Sequence, residues 1–282
     1  MNAGTLTLCA CAKLNLYLDI TGRRSDGYHL LETVMQSVDL CDIVTVRLNV
    51  LGTSVGCSDP NIPAGEANIC HKAARVFFER ADVRSGADIM IQKRIPSGAG
   101  MGGGSADAAA VLFGLNALCG SPLSESELLS AAAEVGADVP FCLVGGTKLC
   151  QGIGEVMTEL PAAPDCCFLV AKPEHSCPTG EAFARYDTAE LSPRGIPEEY
   201  SSGMFPHEKM YNVFRTLYND ERLERLVEKM MTGGALGAEL TGSGSAVFGV
   251  FPDELTAARA ARNFADIFTA VCRPTAYGVK II

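Results

Sequence analysis

The residues best placed to do chemistry cluster in one stretch, Pro96-Ser97-Gly98-Ala99-Gly100-Met101-Gly102-Gly103-Gly104-Ser105-Ala106, which runs straight into Asp107-Ala108-Ala109-Ala110-Val111-Leu112. The glycines among residues 98–104 free the backbone from the Cβ clash, so successive N–H groups can turn toward one point. The Ala-rich run behind them favours a helix, and an N-terminus opening onto such a loop carries the positive end of a helix dipole. Together these features make a cradle for a polyphosphate. Pro96 fixes where the loop begins and a helix follows at once, which disfavours a flexible linker. Two ionisable residues stand out beside it. Asp138, in Gly136-Ala137-Asp138-Val139-Pro140, reads equally well as a catalytic carboxylate or as a helix N-cap ahead of Pro140. Lys13 lies between two apolar segments, where it is either a functional ammonium or a solvated lysine at a strand end.

Gly98 to Gly103 formally satisfies G-x-G-x-x-G, but the wider context differs from a dinucleotide fold. The acidic residues about twenty positions on, Glu125 and Glu127, belong to a helix start and not to a strand end. A P-loop would need Lys and Ser/Thr after its last glycine, whereas Gly103 is followed by Gly104 and Ser105.

The elements that must position these residues follow from periodicity and turn chemistry. Residues 5–9 and 14–20 read as two strands around Lys13, and residues 21–29 as a polar turn. An apolar stretch from Leu30 to Leu40 precedes a strand at 43–51, and 61–65 form a loop. Residues 68–81 read as an amphipathic helix, 88–95 as a strand ending at Pro96, and about 105–119 as a helix. Ser124 and Glu127 form a capping-box signature for a helix running to Gly136. Strands are expected at 147–151, 166–171, about 236–240, 246–251 and 271–281. Helices are expected at about 207–219, 220–231 and 253–264, and residues 187–208 read as a long exposed connection. Strands cluster early and late with helices between, which predicts an α+β fold with a division near residue 150.

At 282 residues the chain suggests one large domain or two ordinary ones. A formal charge of −10 argues against a broad nucleic-acid surface. The longest uncharged stretch, residues 108–124, is broken by Gly114, Asn116, Gly120 and Pro122, so no membrane span is expected. With no basic segment leading into an apolar run at the start, a cytoplasmic location is expected. The 12 cysteines show no C-x-x-C spacing and are read as reduced thiols, mostly buried, acting as small hydrophobes.

Four segments resemble the GHMP kinase superfamily and, within it, the 4-diphosphocytidyl-2-C-methyl-D-erythritol kinases. They are Ala12-Lys13-Leu14-Asn15-Leu16, Arg24-Ser25-Asp26-Gly27-Tyr28-His29-Leu30-Leu31-Glu32-Thr33, the glycine loop, and Gly136-Ala137-Asp138-Val139-Pro140-Phe141. Leu240-Thr241-Gly242-Ser243-Gly244-Ser245 is similar to the superfamily's third motif. The resemblance covers nearly the whole chain. It implies a two-lobed α+β fold: a ribosomal-protein-like nucleotide lobe (1–150) and a ferredoxin-like C-terminal lobe (151–282), with the active site between them. It implies ATP-dependent phosphorylation of the substrate's 2-hydroxyl on the non-mevalonate route to isoprenoid precursors; from the charge and the lack of a span noted above, no nucleic-acid or membrane partner is expected.

By the same resemblance, Asp138 is the catalytic base and Lys13 its assisting ammonium. Residues 96–106 together with Asn68 and Lys93 contact ATP. Asn15 hydrogen-bonds the polyol, while Tyr28, His29 and Phe183 recognise cytidine. Mg2+ is expected with the phosphates, and Ser105 is a candidate ligand. Another small-molecule kinase of the superfamily (mevalonate, homoserine or sugar type) and a non-enzymatic RNA-binding module are the alternatives.

Overall fold

The computed structural model describes residues 4–202 and 205–282. In the first half, strands β1 (Thr5–Arg23), β2 (His29–Asn49), β3 (Ser54–Cys57) and β4 (Gly86–Gln92) are joined by helix α1 (Ile69–Arg80). Helices α2 (Gly103–Leu118), α3 (Glu125–Val135) and α4 (Val139–Val144) follow, then the hairpin β5 (Thr147–Gly152) and β6 (Val156–Glu159). The second half runs β7 (Cys167–Lys172), α5 (Thr179–Asp187), β8 (Tyr211–Asn212), α6 (Val213–Tyr218), α7 (Glu221–Thr232), β9 (Gly237–Leu240), β10 (Val247–Phe251), α8 (Glu254–Ala261), β11 (Phe268–Cys272) and β12 (Val279–Ile281).

Among the described residues, two sheets form. The larger has the order β12-β1-β2-β4-β3, with the β5–β6 hairpin on β2 and β8 parallel to β1. The smaller, antiparallel and ordered β11-β7-β10-β9, follows a βαββαβ path with its first strand between the third and the last, the ferredoxin-like arrangement. Residue 150 lies within β5, whose partners belong to the larger sheet, and β12 returns the chain's last strand to that sheet.

The central helix α2 buries Ala106 through Leu112 and Leu115, and its small side chains let α1, α3, α4 and the large sheet approach it closely. The main core continues from this lobe onto one face of the smaller sheet through Phe168, Val170 and Phe248. A second core, including Leu169, Val247, Leu226 and Ala257, lies on that sheet's other face.

Several elements differ from expectation. Residues 5–21 form one strand and not two, because irregularities between Cys11/Ala12 and Asn15/Tyr17 bend β1 without ending its pairing. Lys13 is therefore mid-strand and buried. The segments 30–40 and 43–51 are likewise a single strand, since the extra residues Asp39 and Leu40 are absorbed as a bulge opposite Cys11/Ala12. Strand β4 stops at Gln92 because the next amides turn aside, Lys93 to Ser58 Oγ and Arg94 and Ile95 to Asp42. The helix after the glycine loop begins at Gly103, before Ser105.

The connection at 187–208 is not wholly exposed: Tyr200 is buried and its hydroxyl donates to the Leu16 carbonyl, while residues 203–204 of that segment lie outside the described residues. The helix expected from 207 begins at Val213 because residues 211–212 pair with β1. The expected last strand divides into β11 and β12 around Pro274 and Gly278, and its halves join different sheets.

Candidate active site

The glycine loop is held by the opposite lobe. Gly100 has φ +77° and lies so close to the turn at 241–244 that a Cβ there would stand 2.1 Å from the Thr241 carbonyl oxygen. The Ala246 amide donates to the Ala99 carbonyl at 3.2 Å, so the turn from the smaller sheet stitches the loop in place. Gly102, with φ +69°, leaves the space that the Lys13 side chain occupies, since a Cβ there would meet Lys13 Cγ at 3.0 Å. The Lys13 amide donates to the Met101 carbonyl, locking strand to loop. The side chains of Ala99, Met101 and Ala106 point into the core, so at these positions it is the main chain that the loop can present.

The Lys13 ammonium lies 3.8 Å from Asp138 Oδ2 and donates to Asn15 Oδ1 at 2.6 Å. Asp138 stands at the N-cap position of α4, yet its carboxylate makes no capping bond there; α3, ending at Gly136, and the one-residue step after it aim it at Lys13. The N-cap position expected ahead of Pro140 is thus the one Asp138 occupies, while its side chain caps nothing and pairs with Lys13. Asn15 is fully buried: its Oδ1 also accepts from the Gly242 amide at 2.9 Å and its Nδ2 donates to Thr33 Oγ1 at 2.8 Å. Asn15 thus joins Lys13 on the first lobe to the third motif on the second. Burial, then the Asp138 charge, pushes the neighbouring Cys142 thiol well up, so it stays neutral beside the pair.

Lys13, Asn15, Asp138, Gly100, Gly102 and Ser105 face one cleft of about 700 Å3, and Tyr28, His29 and Phe183 line its far side. Tyr28 is 60% exposed. The His29 ring stacks on Phe183 with centroids 4.7 Å apart, and its Nε2 lies 2.7 Å from Asp187 Oδ1. No ring fits between His29 and Phe183, whose centroids are 4.7 Å apart, so an aromatic base in this cleft must pack outside that stack. The His29 hydrogen bond, followed by its charge and that of Arg23, holds the Asp187 carboxyl below its ordinary value.

The other nominated residues sit elsewhere. Pro96, Ser97 and Lys93 line a separate open depression of about 270 Å3 with Ser58 and Asp59, so the loop separates two hollows. Asn68 caps α1, accepting from the Cys70 amide at 2.9 Å and donating to the Pro63 carbonyl at 2.8 Å, which occupies both ends of its side chain. The Lys93 ammonium is clasped between Asp107, at 2.8 Å, and Asp42. Burial, then the Asp42 charge, pushes the Asp107 carboxyl up to about 8, and its Oδ1 has no partner. Sequence reasoning passed over Asp42, Thr33 and Asp187. Only Asp107 carried a local signal, an acid set in an alanine run.

Among the described residues no group of three or more His, Cys, Asp or Glu could hold a metal ion. Ser105 and Asp138 do present hard oxygens to the same cleft as the loop amides. That suits Mg2+, which keeps waters and phosphate oxygens and needs only one or two protein ligands.

The GHMP kinase N-terminal domain family matches residues 68–146 and the GHMP kinase C-terminal family residues 197–270. A 4-diphosphocytidyl-2-C-methyl-D-erythritol kinase of Caldicellulosiruptor saccharolyticus is 42% identical over 265 residues, covering 91% of each chain. One from Clostridium botulinum is 40% identical over 260 residues, covering 89% of this chain and 93% of its own. A crystal structure of a 4-(cytidine 5'-diphospho)-2C-methyl-D-erythritol kinase superposes with a TM-score of 0.78 at 30% identity, over 95% of this chain and 99% of that one. With two lobes interlocked through two glycine turns and a lysine–carboxylate pair beneath them, the chain belongs to the 4-diphosphocytidyl-2-C-methyl-D-erythritol kinase family of the GHMP kinases.

Proposed function

We propose that this kinase transfers the γ-phosphoryl group of ATP to the 2-hydroxyl of 4-diphosphocytidyl-2-C-methyl-D-erythritol, with Asp138 as the base and Lys13 as its partner. The observation that carries the reading is the Lys13–Asp138 pair facing the same cleft as the glycine loop and the α2 N-terminus. Phosphoryl transfer has a loose transition state, so the protein's task is positioning and electrostatics. Asp138 accepts the hydroxyl proton as the new P–O bond forms. Lys13 offers a positive charge to the transferred oxygens. The loop amides and the α2 dipole hold the phosphates. The nucleoside end of ATP lies in the depression bounded by Lys93, Pro96 and Ser97, and its phosphates cross the loop into the cleft.

Asn15, whose own bonds are made within the protein, borders the polyol and holds Lys13 in place. Tyr28 and the His29–Phe183 stack receive the cytosine. Mg2+, with Ser105 as its candidate protein ligand, would neutralise phosphate charge when bound. We place the lobe division near residue 150, with the strands after it partly returning to the first sheet. A cytoplasmic location, and action on small molecules without nucleic acid or membrane, complete the reading; no helix among the described residues is long and apolar enough to cross a membrane.

An ADP-release assay offering the cytidine-linked acceptor or mevalonate in parallel tests this. Turnover should appear with the cytidine-linked acceptor. Preference for mevalonate would end the substrate assignment.

A further inference from the structure

Away from the cleft, three thiols meet on the pairing of β1 with β2. Cys11 and Cys41 are direct cross-strand partners with sulfurs 3.3 Å apart, and Cys9, two residues before Cys11, lies on the same face of β1. We propose that Cys11 and Cys41 are a site of reversible oxidation, converted by a hydroperoxide into a disulfide that clamps β1 to β2 in the folded protein.

Backbone geometry permits the bond. The Cys11 amide donates to the Gly278 carbonyl at 2.8 Å, on the far side from β2. The Cys11–Cys41 pair is therefore of the non-hydrogen-bonded antiparallel kind, in which Cα atoms approach to about 4.5 Å. That falls at the short end of the range of about 4.4–6.8 Å that disulfides span. The sulfurs need only close from 3.3 Å to a bond of about 2.05 Å. Cys11 and Cys41 are already paired, and the irregularity at Asp39 and Leu40 begins only beyond them.

The two thiols have different parts. Cys11 is buried, whereas Cys41 is partly exposed. Hydrogen bonding from Cys11, then from Cys9, holds the Cys41 thiol below its ordinary value against the opposing effect of burial, and the Arg94 charge adds to this. The Asp39 charge acts the other way. Because a peroxide can reach only the more exposed sulfur, Cys41, whose thiol otherwise donates to the Asp39 carbonyl, is the nucleophile and buried Cys11 the resolving thiol. By contrast, burial pushes the Cys70, Cys142 and Cys150 thiols up, which makes them poor nucleophiles. The three-thiol cluster is not among groups able to hold a metal.

The step balances. The Cys41 thiolate attacks one peroxide oxygen, the O–O bond breaks, and the departing hydroxide leaves as water, with Cys41 as the sulfenic acid. The Cys11 sulfur then attacks the Cys41 sulfur, the S–O bond breaks, and the hydroxide leaves with the remaining proton as a second water. The two thiols lose two electrons and hydrogen peroxide gains them. A bond across residues 30 positions apart also constrains the unfolded chain.

The test uses the folded wild-type protein. After brief treatment with hydrogen peroxide and blocking of free thiols, peptide mapping should show Cys11 linked to Cys41, and dithiothreitol should restore both thiols. The oxidised protein should melt at a higher temperature than the reduced one. Before oxidation, Cys41 should be alkylated by iodoacetamide faster than Cys70, Cys142 or Cys150. Cys41→Ser should form no linked peptide here. The proposal is overturned if wild-type protein yields no Cys11–Cys41 linkage, if linkage appears only after denaturation, or if Cys41 is alkylated no faster than the buried thiols. None of these readouts depends on the kinase assignment.

Discussion

The carboxylate of Asp138 occupies a helix N-cap position but bonds to none of that helix's amides, and its Oδ2 stands 3.8 Å from the Lys13 ammonium. A residue that forgoes capping to face a lysine buried at mid-strand contributes little to folding through the cap, so its removal should be felt in chemistry. Asp138→Asn is expected to lower kcat by about 10²–10⁴-fold, the usual worth of a positioned general base. ATP binding and the urea midpoint should stay close to wild type. Unchanged turnover in steady-state assays would remove Asp138 from its role.

Asn15 ties Lys13 to the Gly242 amide, so Asn15→Ala should act on both stability and catalysis. Leaving the buried Gly242 N–H unpaired costs about 1–3 kcal/mol. Urea unfolding should show that loss. Turnover should fall as well, because the ammonium loses the acceptor that orients it. A variant with normal kcat and lowered stability would make Asn15 a purely structural tie.

Gly100 should tolerate no side chain. Its left-handed backbone alone penalises alanine by about 1–3 kcal/mol, and the added Cβ would strike the Thr241 carbonyl. Gly100→Ala should raise the KM for ATP more than that for the acceptor, because the displaced main chain is the phosphate cradle. Gly104→Ala is the control: a Cβ there meets only Ile69 Cγ2, at an ordinary 3.6 Å. Equal effects of the two substitutions on ATP KM would contradict the interlocked-loop picture.

Glu239, on β9, carries a pH signature. Burial pushes its carboxyl up from 4.5 to about 7, against the pull of Arg215 at 3.2 Å. Between those values the folded state holds a proton that the unfolded state has released, so stability must fall as pH rises from about 4.5 to about 7. At about 1.36 kcal/mol per pKa unit the full effect is on the order of 3 kcal/mol. Thermal melts across this range should show the decline, and Glu239→Gln should make it shallower, leaving the part that Asp107 contributes. A wild-type profile with no decline would mean that Arg215 keeps Glu239 ionised throughout.

Local chemistry was legible from the residues alone. Ser124 and Glu127 form the capping box that their spacing announces, Asn68 begins α1, and the glycine loop opens onto an apolar helix. These features depend on neighbours within a few positions, which a sequence displays directly. The lysine and the carboxylate were also visible as candidates, but whether the Asp138 side chain would cap its helix or face Lys13 was not.

Tertiary structure decided what depends on distant partners. Strand continuity through 11–15 and 38–42 rests on bulges that pairing alone creates, and the division of 268–281 between two sheets rests on which edges were open. The burial of Asn15 against a turn 227 residues away, the stacking of His29 on Phe183, and the enclosure of Lys93 by Asp42 and Asp107 follow from packing two lobes together. A residue's type sets which bonds it can make. Which of them it does make is chosen by the groups that folding brings within about 3 Å of it.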